Sequence, residues 1–388
     1  MGGYAAGGRR QEEDGHMRAG IPERSVLMGP DQRSELDRDI WSRRYVPAKL
    51  GIGGRISGAR IRYRGGHTRE YAKKSYEIQL ESGLVLHWNA ESDDPSMIRN
   101  ALSFHFMEQI GVPSPRTRPV WLSVSGRPDG IYLEIEAVNS RFFSMRGIRY
   151  RSLLYAANDS ANFELKDPES RRRKRSLADG YEFIEGDGDT LVRLSDFIGG
   201  LHRLKDSRLQ EAIEERLDLD LYFKWLAGAV LTGNYDGFEQ NYALYEDDAS
   251  GRYGILPWDY EGSWGRNCFG KPCSADLVRI QGYNGLTRRV FQFPEWRRRY
   301  AEELERIMET EFTEERIGPV AGGMLERIAS AVKLDPARAA TLKAFGGEKA
   351  FILAYIGKRR RFVRAELKRW LGNEVSLPRR QLAGGSSD

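Results

Sequence analysis

The stretch Gly233-Asn234-Tyr235-Asp236-Gly237-Phe238-Glu239-Gln240-Asn241-Tyr242-Ala243-Leu244-Tyr245, followed by Pro257-Trp258-Asp259, decides how the chain is read. Asp236 and Asn241 stand five positions apart in a polar loop that follows an apolar helical run, Leu219 to Leu231. Beyond Asn241 the residues alternate as a strand, Asp247 to Gly251 reads as a turn, and Tyr253 to Leu256 as a returning strand. The hairpin therefore carries Asp259 back to the end where Asp236 and Asn241 lie. An acid and an amide before a hairpin, with a second acid after it, suit phosphoryl transfer. There one carboxylate orients the attacking hydroxyl, while an amide and another carboxylate hold magnesium against a triphosphate.

Upstream, period-two alternation marks strands at 56–63 and 76–80, around Arg62-Tyr63-Arg64-Gly65-Gly66-His67-Thr68-Arg69 and Lys73-Lys74-Ser75. A glycine pair among cations lets backbone amides approach a phosphate while a side chain neutralises it, although most basic turns are merely solvated. The candidate cations are Arg64, Arg69, Lys73 and Lys74. Lys74 shares a strand face with Tyr76, Ile78 and Leu80 and is expected to point to the core side, with Lys73 pointing to solvent. Residues 96–110 form an amphipathic helix that ends at Gly111 and Pro113. A hairpin follows, from Val120-Trp121-Leu122-Ser123-Val124 to Ile131-Tyr132-Leu133-Glu134-Ile135-Glu136. Strands, one helix, a hairpin and then Glu136-Ala137-Val138 in the place of a hinge is the order of a kinase N-lobe. Glu136 is accordingly a candidate nucleotide contact.

The rest of the chain sets limits. Its 388 residues, 40% hydrophobic and 30% charged, are enough for a large core. Lys and Arg (61) barely exceed Asp and Glu (56), an excess too small and dispersed for a nucleic-acid-binding protein. The cluster Arg171-Arg172-Arg173-Lys174-Arg175 reads as a solvated basic loop. Two cysteines, Cys268 and Cys273, exclude a disulfide framework. The longest apolar run, 225–232, is far short of the ~20 residues that span a bilayer, and the start of the chain lacks a signal's apolar core, so the expected location is cytoplasmic. Residues 1–40 are expected to be a mobile tail, with a short helix capped by Ser34 and anchored by Trp41 near its end. Residues 41–138 would be N-lobe-like, 139–378 C-lobe-like with a helical extension at 295–311, 316–332 and 348–371, and 379–388 a disordered tail.

Several blocks in this order resemble the CotH kinase family of atypical protein kinases, over roughly residues 45–265. They are Arg62-Tyr63-Arg64-Gly65 with Lys73-Lys74-Ser75-Tyr76; Met97-Ile98-Arg99-Asn100 through Gly111-Val112-Pro113; Gly130-Ile131-Tyr132-Leu133; Gly233-Asn234-Tyr235-Asp236 with Asn241-Tyr242-Ala243-Leu244-Tyr245; and Pro257-Trp258-Asp259. Gly233-Asn234-Tyr235 stands where typical kinases have H-R, and Trp258-Asp259-Tyr260 replaces D-F-G. The resemblance implies an α+β, two-lobed kinase-like fold that uses ATP and Mg²⁺ (or Mn²⁺) to phosphorylate Ser or Thr of a protein substrate. By the same resemblance Asp236 looks like the acid-base aspartate and Asn241 and Asp259 like the metal ligands. Arg64 and Lys74 look like phosphate contacts. No helix glutamate suits Lys74, since only Glu108 is offered, near the helix end. Tyr253 and Trp258 are candidate walls for adenine. A nucleotide-binding pseudokinase, a coat scaffold and a transferase with another acceptor remain alternatives. The oligomeric state is not legible.

Overall fold

The computed structural model describes residues 17–375, so the tail expected at 379–388, like residues 1–16, lies outside the described residues. The fold is mixed α and β. Its first half is built from β1 (Met17–Arg18), β2 (Ile21–Leu27), β3 (Val46–Ile52), β4 (Arg55–Arg64), β5 (Ser75–Leu80), β6 (Val85–Asn89), β7 (Thr117–Val124) and β8 (Arg127–Glu136). The order is β1-β2-β3-β4-β5-β6-β8-β7, and β7 pairs back in parallel onto β2, Glu23 opposite Trp121 through Val26 opposite Val124. The strands from β2 to β7 thus close into a barrel, which removes the exposed edges of an open sheet.

Alternation gives the barrel wall two apolar faces. Val26, Leu50, Ile61, Tyr63, Tyr76, Ile78, Trp88, Val120, Leu122 and Tyr132 fill the interior. Trp121, Ile131, Leu133 and Ile135 face outward into the main core, which continues into the helical half. Closure corrects the expected tail: residues 17–38 supply two strands and the helix Pro30–Arg38, whose Leu36 is buried against the barrel. The helix starts at Pro30, just after Gly29, not at Ser34, and Trp41 is 50% exposed under the Arg69 guanidinium. Polarity disguised β2. Its inward position Arg24 is 3% exposed, paired with Glu134 at 3.0 Å, and Trp88 donates to the same carboxylate. A buried ion pair reads as surface when only the residue types are known.

The second sheet comprises β9 (Tyr150–Ala156), β10 (Tyr181–Glu185), β11 (Tyr242–Asp247) and β12 (Tyr253–Pro257), ordered β10-β9-β11-β12. The expected hairpin is β11–β12, with Tyr242 opposite Pro257 and Glu246 opposite Tyr253. Phe163-Glu164-Leu165, between β9 and β10, is irregular. Behind the sheet lies the helix Leu219–Thr232, buried at nearly every position, which explains its lack of a polar stripe. The helices Pro294–Thr310, Glu314–Leu334 and Glu348–Val375 match the three expected C-terminal helices to within a few residues, save that the last runs on to Val375. Among the described residues no helix is long and apolar enough to cross a membrane. The basic run 171–175 is exposed except at Lys174, whose ammonium donates to Asn162 Oδ1 at 2.9 Å and to the Ser160 carbonyl.

Candidate functional site

The Leu219–Thr232 helix stops at Gly233, which takes a left-handed φ of 70° and donates its N–H to the Val230 carbonyl at 3.2 Å. Tyr355 donates to the Leu231 carbonyl at 3.0 Å and closes the space beside it. A Cβ on Gly233 would fall 2.2 Å from the Tyr355 hydroxyl. Gly233→Ala is therefore expected to cost about 1–3 kcal/mol, from strain at positive φ together with the displaced tyrosine, read as a lower urea midpoint at unchanged slope.

Past Gly233 a 3₁₀ turn, Tyr235–Gly237, presents Asp236. Gln240 Nε2 donates to one oxygen of its carboxylate at 2.7 Å and Asn241 Nδ2 to the other at 3.1 Å. Asn241 enters β11 and Asp259 leaves β12, and the Trp258 N–H donates to the Asn241 carbonyl at 3.1 Å. The hairpin thus brings the two ends together as its alternation implied. Both residues hold left-handed backbone, φ 58° and 55°. Such conformations cost of order 1–3 kcal/mol in a non-glycine residue and gather where function over-determines the backbone.

The site is rich in carboxylates and poor in cations. Burial drives the Asp259 pKa up to about 6, the Arg64 cation works against that rise, and Asp236 adds to it. Asp236 is also raised, by burial, while the Gln240 and Asn241 hydrogen bonds hold it down. Glu91 and Glu261, which sequence reasoning passed over, belong to the same acidic group. Burial, and then Asp94, take Glu91 to about 8; burial, and then Asp259, take Glu261 well above the carboxylate range. Strand alternation does not reach Glu91, because β6 ends at Asn89 and Glu91 stands beyond it at a left-handed φ of 48°. Asn100 ties Glu91 to the site: its Nδ2 donates to the Glu91 carboxylate at 3.0 and 3.1 Å, and its Oδ1 accepts the Tyr260 N–H at 2.6 Å.

Of the four candidate cations, Arg64 is the one that faces these acids. It ends β4 on the outer face of the barrel, donates to Asn89 Oδ1 and lies 5.6 Å over the Trp258 ring. Burial lowers its pKa, and Glu77, Asp259 and Glu91 oppose that shift. Lys74 does point with Tyr76, as alternation implied, but that face is the barrel interior. Its ammonium donates to the Arg69 carbonyl at 2.5 Å and attracts Asp37, away from Asp259. Lys73, expected in solvent, is buried against the Asp335 carboxylate and the Ile131 carbonyl, the latter at 2.7 Å. Arg69 donates to the Gly65 and Ile40 carbonyls at 2.7 and 3.1 Å. The Glu136 carboxylate is held by Arg146 at 2.9 Å and the Arg116 N–H at 3.0 Å, beside Glu134 and Arg118 and not beside the acids. Trp258 packs among His87, Phe104 and Tyr155 at 5.8, 6.4 and 6.0 Å, next to Arg64. Tyr253 lies at the far end of β12, stacked on Phe197 at 5.7 Å, and is no wall of this site.

The donor set fits a hard cation. Asp259 offers a carboxylate, and the Asn241 amide oxygen has only a long 3.4 Å contact from the Tyr155 hydroxyl. Among the described residues no group of three or more His, Cys, Asp or Glu side chains forms a metal cage of its own. Magnesium characteristically takes one or two protein ligands and completes its shell with phosphate and water. If the site takes the nucleotide triphosphate that the resemblance implies, Arg64→Met is expected to weaken its binding at least about tenfold, by loss of a charge-assisted contact. Lys74→Met is expected to leave it unchanged. Calorimetric titration of the two variants separates these outcomes.

The chain matches known sequences along most of its length. The sequence model described as CotH kinase protein matches residues 61–363. Inner spore coat protein H of Bacillus subtilis (strain 168) is 35% identical over 353 residues, spanning 89% of this chain and 98% of that protein. Inner spore coat protein H-like protein of the same organism is 29% identical over 301 residues, 76% of this chain and 86% of that one. Among solved structures, the Helicobacter pylori proinflammatory kinase CtkA aligns over 81% of this chain and 95% of its own, with 9% identity and a TM-score of 0.33, too low to assign a shared fold. By the family match across 61–363 and the identity carried over nearly the whole length of a relative, this chain belongs to the CotH kinase family.

Proposed function

We propose that the chain is an ATP- and Mg²⁺-dependent kinase that phosphorylates Ser or Thr of a protein. In this reading the barrel serves as the N-lobe and the helical half as the C-lobe. The observation that carries it is the convergence of Asp236, Asn241 and Asp259 on one end of the β11–β12 hairpin, opposite Arg64. A cluster of carboxylates pushed upward by burial and by one another is an incomplete site for a cation, because a bound cation relieves that repulsion. Asp236, held by Gln240 and Asn241, orients the acceptor hydroxyl and takes its proton late in transfer. Asn241 and Asp259 would hold Mg²⁺, which supplies charge neutralisation along the phosphates. Arg64, fixed by Asn89 and Trp258, offsets charge that develops as the bond to the leaving group breaks. Trp258, with the Arg64 guanidinium 5.6 Å from its ring, is suited to one face of the base.

Two relatives carry spore-coat names, so a coat protein is the acceptor to try first. The deciding experiment incubates the protein with γ-labelled ATP, Mg²⁺ or Mn²⁺ and such an acceptor. Label on Ser or Thr, lost on chelation, is the expected result. Nucleotide binding without label would leave a pseudokinase or scaffold. Mass spectrometry of the product separates phosphate from AMP, since the two add different masses.

A further inference from the structure

We infer that Arg338, in the C-terminal helical extension, is a positioning residue for the acidic site; the inference rests on the phosphoryl-transfer reading of Asp259. Arg338 is only 2% exposed and lies in the 3₁₀ turn Pro336–Thr341, between two helices far along the chain from every site residue. Its guanidinium donates to three carbonyls of the loop between β6 and the Arg99–Gln109 helix: Ala90, Glu91 at 2.7 Å and Asp94 at 3.3 Å. That loop contains Glu91 at a left-handed φ of 48°, a conformation a glutamate keeps only when its surroundings impose it. From Glu91 the connection continues through Asn100, which bonds the Glu91 carboxylate with its amide nitrogen and the Tyr260 N–H with its amide oxygen. Tyr260 directly follows Asp259. A side chain from the extension thus reaches the site in three contacts, all through buried groups.

The turn is itself fixed on the barrel. Asp335 accepts from Lys73 and from the Ile131 N–H at 3.1 Å, and it packs so closely on Gly130 that a Cβ there would fall 2.3 Å from its carboxylate. Lys73 therefore anchors the Pro336–Thr341 turn through Asp335 and does not face the acidic site. The Glu91 and Asp94 carbonyls also accept the Asp94 and Met97 N–H groups, each at 3.2 Å, but removing the guanidinium takes its charge-assisted hydrogen bonds from a buried loop. A loosened 90–94 loop would release Glu91, and with it the Asn100 brace on the segment that carries Asp259.

The test compares wild type with Arg338→Met, which keeps most of the volume, and with Arg338→Lys, which keeps the charge but not the fork. Amide hydrogen exchange is followed at 90–94 and at 259–262, and Mn-ATP binding is measured by calorimetry. In Arg338→Met, faster exchange at both segments and binding weakened at least about tenfold are expected, the loss typical when outer-shell support of a metal site is removed. Arg338→Lys should fall between the two, and it decides the matter if the methionine variant does not fold. Exchange quickened at 90–94 alone, with 259–262 as in wild type, would overturn the inference. Should wild type bind no Mn-ATP, the kinase reading fails, while the exchange comparison still decides whether Arg338 positions the site.

Discussion

Asp259→Asn is expected to reduce phosphoryl transfer by more than about 10³-fold, with no loss of fold. An amide of the same shape keeps the packing but cannot anchor a divalent cation, so on the proposed reading both the metal and the charge it brings to the phosphates are lost, more than the about 10²–10³ of a single preorganised donor. The stability of the same variant should move the other way. Burial, and then Asp236, hold the Asp259 pKa at about 6, above the usual value of 3.8. A raised acid binds its proton more tightly folded than unfolded, so its ionised form weighs against the fold at neutral pH, and that burden lifts as pH falls from about 6 towards 4. Asn at this position should then gain about 1–2 kcal/mol at pH 7–8, a gain that disappears near pH 4. Asp236→Asn should show the same pairing of lost transfer and unharmed fold, by loss of the proton acceptor, with a rate defect of about 10²–10⁴. On the proposed reading the reaction needs Asp259 ionised, so the nucleotide-free protein should lose competence as pH falls through about 6. Unfolding curves and label incorporation measured on the same preparations test the opposition of the two effects. Asparagine variants that keep wild-type transfer would remove Asp259 from the site.

Which parts of this arrangement were legible follows from the range of the interactions that make them. The β11–β12 hairpin, its turn and the placing of Asp236, Asn241 and Asp259 at one end depend on local alternation and turn chemistry, and all of that lies between Asp236 and Asp259. Glu91 and Glu261 escaped notice because their significance is collective. Nothing in Asn89-Ala90-Glu91 or Tyr260-Glu261 shows that two further carboxylates come close enough to Asp259 to feel its charge. Lys74 shows the limit of period two: alternation assigned its face correctly, but a barrel wall is apolar on both sides, and the pattern does not say which side meets the site. β2 was lost for a related reason, since its inward arginine is neutralised by Glu134, a partner 110 residues away. The contribution of the extension was equally hidden, because Arg338 and Asp335 act through backbone groups, and any residue can offer those.

The extension also accounts for the largest stability effect expected in the molecule, at Arg99. This arginine is 0% exposed at the start of its helix, and its guanidinium joins the acidic loop to the C-terminal helix. It donates to Asp94 at 2.5 Å, to Ser96 at 3.0 Å, to the Ser263 carbonyl at 2.9 Å and to Glu348 at 2.7 Å. Glu348 is shared with Arg266, from the loop that follows Asp259. Arg99→Met keeps the volume and takes away the guanidinium that the buried Asp94 and Glu348 carboxylates share, which should cost about 3–5 kcal/mol, the usual penalty for orphaning one partner of a buried ion pair. The pH dependence shows whether charge or packing is responsible. Burial alone would raise Asp94, but Arg99 and the hydrogen bonds from Ser96 and Arg99 more than reverse it and leave the carboxyl below its usual 3.8. A depressed acid stabilises the fold above its unfolded pKa, and that contribution fades as pH falls through the folded value. The gap between wild type and Arg99→Met should therefore be widest at neutral pH and narrow below about pH 4, whereas a packing defect would keep it constant. Adding Asp94→Asn to Arg99→Met should recover part of the loss, since the amide leaves no unpaired charge behind. A double variant no more stable than the single one would mean that the helix start depends on Arg99 as a bridge to Ser263 and Glu348, and not on its pairing with Asp94.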